Sequence, residues 1–239
     1  MPPTAYTRPP LCPRACLQAY LHPFRPALFY PQDSLPAPSV AHNPCGFALP
    51  HALGVQNLGK VREPKAIVIF VGGFCDTIMH AVFREFAAFD MPHCLKLYAS
   101  FKSRHLFALW LPRLCSVGLP LFVIAHSWGA SNFYKALRIE SQADSESMRL
   151  HYLLTLDPVG FSAHSVRPQG IRLWENVFIT DKIQNPRRAN IVALIGRAWN
   201  EVAISDFNAS LPPPYHHASI APMIEASHFY RELATIIQS

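Results

Sequence analysis

From about residue 65 onward the chain alternates short apolar runs with segments of helical period, and turn formers separate them. Lys65-Ala66-Ile67-Val68-Ile69-Phe70-Val71 is continuous, partly β-branched and stops at Gly72-Gly73, which predicts a strand buried on both faces of a parallel sheet. Ile78, Val82, Phe86 and Phe89 follow at helical spacing and predict a helix over 78–89. The alternation continues with strands over 94–98, 121–125, 152–156 and 173–180, and with helices over 101–114, after Ser127 and over 191–200. Ile220, Met223, Ile224, Leu233, Ile236 and Ile237 form one stripe, which predicts an amphipathic helix over 220–237. Strands and helices in this order predict an α/β domain with a mostly parallel central sheet and helices on both faces. Leu211-Pro212-Pro213-Pro214-Tyr215 reads as a loop, and residues 182–214 are the expected lid or pocket wall. No internal repeat is present.

Composition changes this picture mainly at the N-terminus. The 239 residues are 50% apolar, enough for one substantial buried core, and 23 of them are prolines. Prolines are dense in the first 50 residues, where Arg8, Arg14 and Arg25 precede the first acid, Asp33, and no helix or strand period survives. The expected division is therefore a proline-rich extension over 1–57 and a single domain over 58–239. Prolines at 2, 3, 9, 10, 13, 23 and 26 interrupt any signal-peptide core, and no apolar stretch approaches the ~18 residues of a spanning helix. The expected location is cytoplasmic, or outside the cell by a route without a cleaved signal.

The net charge is +6, but Lys60, Arg62, Lys65, Lys96, Lys102, Arg104, Arg113, Arg187 and Arg188 form no tract. That scatter argues for a solvated surface over nucleic-acid binding, while leaving contact with an anionic membrane surface open. Cys12, Cys16, Cys45, Cys75, Cys94 and Cys115 contain no C-x-x-C pair and no metal-ligand spacing, so reduced thiols are expected and no metal or organic cofactor is implied.

The chemistry concentrates at Ala125-His126-Ser127-Trp128-Gly129. An apolar strand ends there, one serine follows, and a helix starts directly behind it. Such a turn lifts a hydroxyl above the sheet edge at a helix N-terminus, the geometry of a nucleophile elbow, with Ala125 standing where the G-x-S-x-G pattern has its first glycine. A serine needs a histidine to take its proton and an acid to orient that histidine. Asp157 follows the next predicted strand, Asp181 the one after it, and His216-His217 lie in the loop before the last helix. An oxyanion hole needs two backbone N–H groups, which Trp128 and the Gly72-Gly73-Phe74 turn can supply, with Phe74 as the donor of the second.

These residues carry a resemblance to the α/β-hydrolase superfamily, and within it to lipases and small bacterial hydrolases. Gly73-Phe74 matches the oxyanion G-F pair, Val71-Gly72 departs from the histidine found there, and Leu156-Asp157-Pro158-Val159 matches the acid segment. Trp174-Glu175-Asn176-Val177 and His216-His217-Ala218-Ser219 match a W-x-N-V strand and a late histidine loop, over a resemblance spanning roughly 58–235. It implies Ser127 as nucleophile, Asp157 as acid ahead of Asp181, His217 as base ahead of His216, and Phe74 and Trp128 as oxyanion donors. Phe74, Trp128, Phe161 and Tyr215 favour an acyl chain over a sugar or peptide, so the expected activity is carboxylic ester hydrolysis through an acyl-enzyme, on a small-molecule or lipid ester. The competing expectations are a thioesterase or acyltransferase on the same scaffold, and a non-catalytic member that binds a partner. Cys75 is the minor alternative nucleophile. His80, His93, His105, His151 and His164 are expected to be surface or core residues, and Asp76 to cap the helix behind the oxyanion turn.

Overall fold

A computed structural model of the chain describes residues 54–56, 64–74, 76–101, 107, 111–112, 114–115, 118–143, 149–161 and 165–239. The elements are β1 (Gly54–Gln56), β2 (Ala66–Gly72), α1 (Asp76–Met79), α2 (Ala81–Ala88), β3 (Cys94–Ser100), β4 (Leu121–His126), α3 (Trp128–Ala143), β5 (Leu150–Leu156), β6 (Ile171–Ile179), α4 (Arg188–Ile195), β7 (Phe207–Leu211), α5 (Ile220–Glu225) and α6 (Phe229–Gln238).

The strands form one sheet in the order β1-β3-β2-β4-β5-β6-β7. β1 runs antiparallel to β3, and every other neighbouring pair is parallel. One antiparallel edge strand beside a β3-β2-β4 crossover, followed by strands added in sequence order, is the α/β-hydrolase fold.

The continuous apolar runs are explained by burial on both faces. Along β2, Ala66, Val68 and Phe70 join one core while Ile67, Ile69 and Val71 join the other. β4 splits the same way, Phe122 and Ile124 against Leu121, Val123 and Ala125. The first core packs under α2, α5 and α6 through Val82, Phe83, Phe86, Met223, Phe229 and Leu233. The second packs under α3 through Phe133, Tyr134 and Leu137, together with Trp174 and Trp199. Two-sided cover of this kind holds the carboxyl ends of the central strands in register, and the catalytic candidates project from those ends.

The structure departs from the sequence expectations in several places. Residues 78–89 do not form one helix, because His80 adopts φ 51° and separates α1 from α2. Asp76 is a cap, but from inside α1: its Oδ1 accepts the Val82 N–H at 2.6 Å and its Oδ2 the Phe83 N–H at 3.2 Å, which satisfies the first turn of α2. The terminal helix is also two. Glu175, buried on β6, accepts hydrogen bonds from the backbone N–H and Nδ1 of His228 at 2.9 and 2.8 Å, and this capture breaks the helix between α5 and α6. The 191–200 helix is shifted to 188–195.

The 182–214 segment is not all loop. It contains β7, which pairs parallel with β6 and includes Leu211, so the loop begins one residue later than expected. β1 lies within the 1–57 segment yet pairs with β3. Most of the 101–114 helix and of the 1–57 extension falls outside the described residues. Phe107, Leu111 and Leu114 are described and are buried in the core beneath α3. Among the described residues no helix is long and apolar enough to cross a membrane.

Candidate active site

β4 ends at His126, and Ser127 takes a left-handed φ of 55° before α3 begins at Trp128. A non-glycine residue at such φ is strained, and the strain persists here because two close backbone approaches fix the turn. A Cβ on Gly129 would come within 2.6 Å of the Gly72 carbonyl oxygen, so the first turn of α3 lies directly against the end of β2. A Cβ on Gly73 would come within 2.5 Å of Ser127 Cβ and 3.1 Å of its Oγ. The peptide that carries the Phe74 N–H therefore runs alongside the serine. The Trp128 N–H belongs to the first turn of α3, where no intrahelical partner exists. Ala125 is fully buried on β4, opposite Val71 and Thr155, and accommodates its methyl group within the second core.

His217 connects the two remaining groups. Its Nε2 stands 2.9 Å from Ser127 Oγ and its Nδ1 2.6 Å from Asp157 Oδ2. Ser127, Asp157 and His217 are 3%, 0% and 1% exposed, so the chain of hydrogen bonds runs in a nearly dry environment, where such contacts are strongest. Asp157 also adopts positive φ, 39°, at the end of β5, and its N–H donates to Val177 O at 2.7 Å.

The acid is held on its far side as well. Lys182 Nζ is 2.9 Å from Asp157 Oδ1 and also donates to Ile179 O at 2.5 Å, while the Ile179 N–H donates to Oδ1 at 3.1 Å. Burial pushes the Asp157 carboxyl upward, but the hydrogen bond and charge of His217 and the charge of Lys182 outweigh it, and the net position is below the ordinary carboxylate value. Asp157 is thus held as an anion with both oxygens engaged.

Two further residues orient the histidine. The His217 N–H donates to Asn190 Oδ1 at 2.8 Å, and Asn190, buried on the inner side of α4, is itself anchored to Asn185 O at 2.8 Å. His126 Nε2 lies 2.8 Å from His217 O; the acceptor is a carbonyl, so His126 donates and its proton resides on Nε2. Burial, aided by the nearby His217, pushes His126 down to about 3, so it stays neutral. Lys182 and Asn190 were not singled out from the sequence; the available signals were a lysine next to the strand-end Asp181 and a single polar residue on the buried side of an apolar helix.

Of the remaining candidates, Asp181 is exposed, and its backbone carbonyl accepts the Gln184 and Asn185 N–H groups at 3.0 and 3.1 Å. His216 faces away, its Nδ1 accepting the Ala218 N–H at 3.2 Å. The structure therefore brings Ser127, Asp157 and His217 together and leaves Asp181 and His216 outside the chain of contacts. Cys75, His105 and His164 lie outside the described residues. Burial pushes the Cys94 thiol up to about 12, which keeps it protonated. Behind the oxyanion turn, Tyr98 donates a short hydrogen bond to the buried Asp76, and a Cβ on Gly72 would collide with both. Among the described residues no group of three or more His, Cys, Asp or Glu is arranged to hold a metal ion.

Aromatic side chains cluster at the turn beside Ser127. Phe74 packs edge-on against Trp128 at 5.3 Å and against Phe101 at 5.6 Å between ring centroids, and Phe161 and Tyr215 are exposed nearby in sequence to Asp157 and His217.

No family model matches the chain, and neither does any curated protein sequence. Among solved structures the chain is similar to YbtT, a type II thioesterase from the yersiniabactin NRPS/PKS biosynthetic pathway, at 12% identity over 73% of this chain and 94% of that one, with a TM-score of 0.42; a mutant of the same protein gives 0.45. It is also similar to TT1662 from Thermus thermophilus, at 14% identity over 75% of this chain and 92% of that one, with a TM-score of 0.37. At these values the α/β-hydrolase fold rests on strand order and register.

Proposed function

We propose that the protein is a serine hydrolase that cleaves carboxylic esters of apolar acyl groups through an acyl-enzyme. The observation that carries this reading is the unbroken buried path from Ser127 Oγ through His217 to Asp157, at 2.9 and 2.6 Å. As His217 Nε2 takes the serine proton, Oγ attacks the ester carbonyl carbon, and the carbonyl oxygen gains the negative charge. The Phe74 and Trp128 N–H groups stabilise that oxygen. When the tetrahedral intermediate collapses, the C–O bond to the alcohol breaks and the alcohol leaves with the proton from Nε2. Water then attacks the acyl carbon with its proton passing to Nε2, and collapse returns that proton to Oγ. Asp157 stays ionised throughout and stabilises the transient imidazolium, and the aromatic surround of Phe74 and Trp128 favours an apolar acyl group over a polar one.

The test is initial-rate hydrolysis of p-nitrophenyl esters from acetate to palmitate, with acyl-CoA thioesters of matching length in parallel. The expected result is turnover of the oxygen esters with kcat/KM rising beyond the acetate. Turnover confined to the thioesters would replace the ester reading, and no turnover of either would remove the catalytic one.

A further inference from the structure

α4 is inverted relative to an ordinary surface helix. Ala189, Asn190 and Ala193 face inward, while Ile191, Leu194 and Ile195, at helical spacings of three and four, are 45%, 42% and 74% exposed. Arg188, the first residue of α4, continues the outer stripe one turn before Ile191, the extended Arg187 precedes it and Arg197 follows the C-terminal end, and all three are exposed. Ile183, 79% exposed, precedes the helix. α4 carries no carboxylate; the nearest in sequence are the exposed Asp181 and Glu201, outside the stripe. Aliphatic side chains bracketed by arginines are the pattern of an element that lies in the headgroup region of a bilayer.

We infer that the outer stripe of α4 docks the protein on an anionic lipid surface. Charge decides among the occupants. A second copy of a chain with net charge +6, or the chain's own first 53 residues with Arg8, Arg14 and Arg25 against Asp33 alone, would bring positive charge to arginines. The arginines match an anionic headgroup layer, and the Ile and Leu side chains between them match the acyl boundary beneath it. The inference goes beyond the hydrolase reading and stands without it. If both hold, the membrane meets the outer face of α4 while Asn190, on the inner face of the same helix, grips the His217 loop at 2.8 Å.

Co-sedimentation of the full chain with vesicles tests the docking without an activity readout. The wild type is expected to bind phosphatidylcholine–phosphatidylglycerol vesicles and to bind pure phosphatidylcholine weakly, with affinity falling as salt is raised. Replacing both Ile191 and Ile195 with serine is expected to lower partitioning by about 10-fold or more. Arg187→Gln with Arg188→Gln is expected to cost about 5-fold per arginine, whereas Arg231→Gln, an exposed charge on α6, is expected to cost little. Unchanged melting temperatures show that the variants are folded. Equal binding by wild type and the isoleucine variant overturns the proposal. So does absence of binding by the wild type, whether the stripe is then found against residues 1–53, a second copy or an acidic protein.

Discussion

Replacing His217 with alanine is expected to lower kcat for an ester substrate by about 10⁴-fold or more, with KM little changed. Among the described residues, the two other histidines near Ser127 in sequence or beside His217 are otherwise committed. His216, the adjacent histidine, turns its Nδ1 to the Ala218 N–H, and His126 is committed as a donor to the His217 carbonyl and pushed down to about 3 by burial. Asp157→Asn is expected to cost about 10⁴-fold as well, because an amide in that place favours the wrong imidazole tautomer and removes the charge opposite the imidazolium. His216→Ala is expected to stay within about 3-fold of wild type, since its half-buried side chain accepts the Ala218 N–H and stands outside the Ser127–His217–Asp157 contacts. Steady-state kinetics with thermal melts on each variant separate lost chemistry from lost folding. A His217→Ala protein that is folded and turns over at near wild-type kcat would contradict the assignment.

Lys182→Met is expected to have the largest effect on stability, a loss of about 3 kcal/mol in denaturant unfolding at neutral pH. Lys182 and Asp157 are 5% and 0% exposed in their side chains and 2.9 Å apart, so deleting the cation leaves a buried carboxylate with reduced compensation. The Ile179 N–H and His217 still contact it, which keeps the expected loss at the low end for a broken buried pair. The pH dependence has a definite sign. A carboxyl held below its unfolded value stabilises the fold above about pH 3.9, and that contribution is lost as pH falls through the native value. Without Lys182 the lowering influences weaken while burial still pushes upward, so acid unfolding is expected to begin at higher pH than in wild type. An unchanged acid midpoint together with unchanged denaturant stability would show that Lys182 does not support the acid.

The central strands were legible because burial on both faces leaves a continuous apolar signature. Each of β2, β4 and β5 sits between two strands and under helices on both sides, and each coincides with such a run. β7 was not legible for the opposite reason: at the sheet edge, half-exposed Phe207–Leu211 has neither a continuous run nor an alternation. The helix breaks were hidden because they are tertiary. Glu175 captures His228 across 53 positions, and a left-handed His80 leaves no local mark in the sequence.

The site divides along the same line. The turns that carry Ser127, Asp157 and His217 follow from strand ends and loop chemistry, and the close approaches at Gly73 and Gly129 follow from the glycine turn after β2 and from the elbow pattern. Lys182 and Asn190 act only through the groups they meet in space, Asp157 and the His217 N–H, so neither residue is distinctive until the fold has joined β6, α4 and the histidine loop.

The most direct measurement is labelling of the purified protein with a fluorophosphonate, read by mass spectrometry of the modified peptide. The account predicts one phosphonate adduct, on Ser127, absent from Ser127→Ala and formed far more slowly in His217→Ala. Equal labelling of Ser127→Ala, or an adduct mapped to another residue, would contradict it.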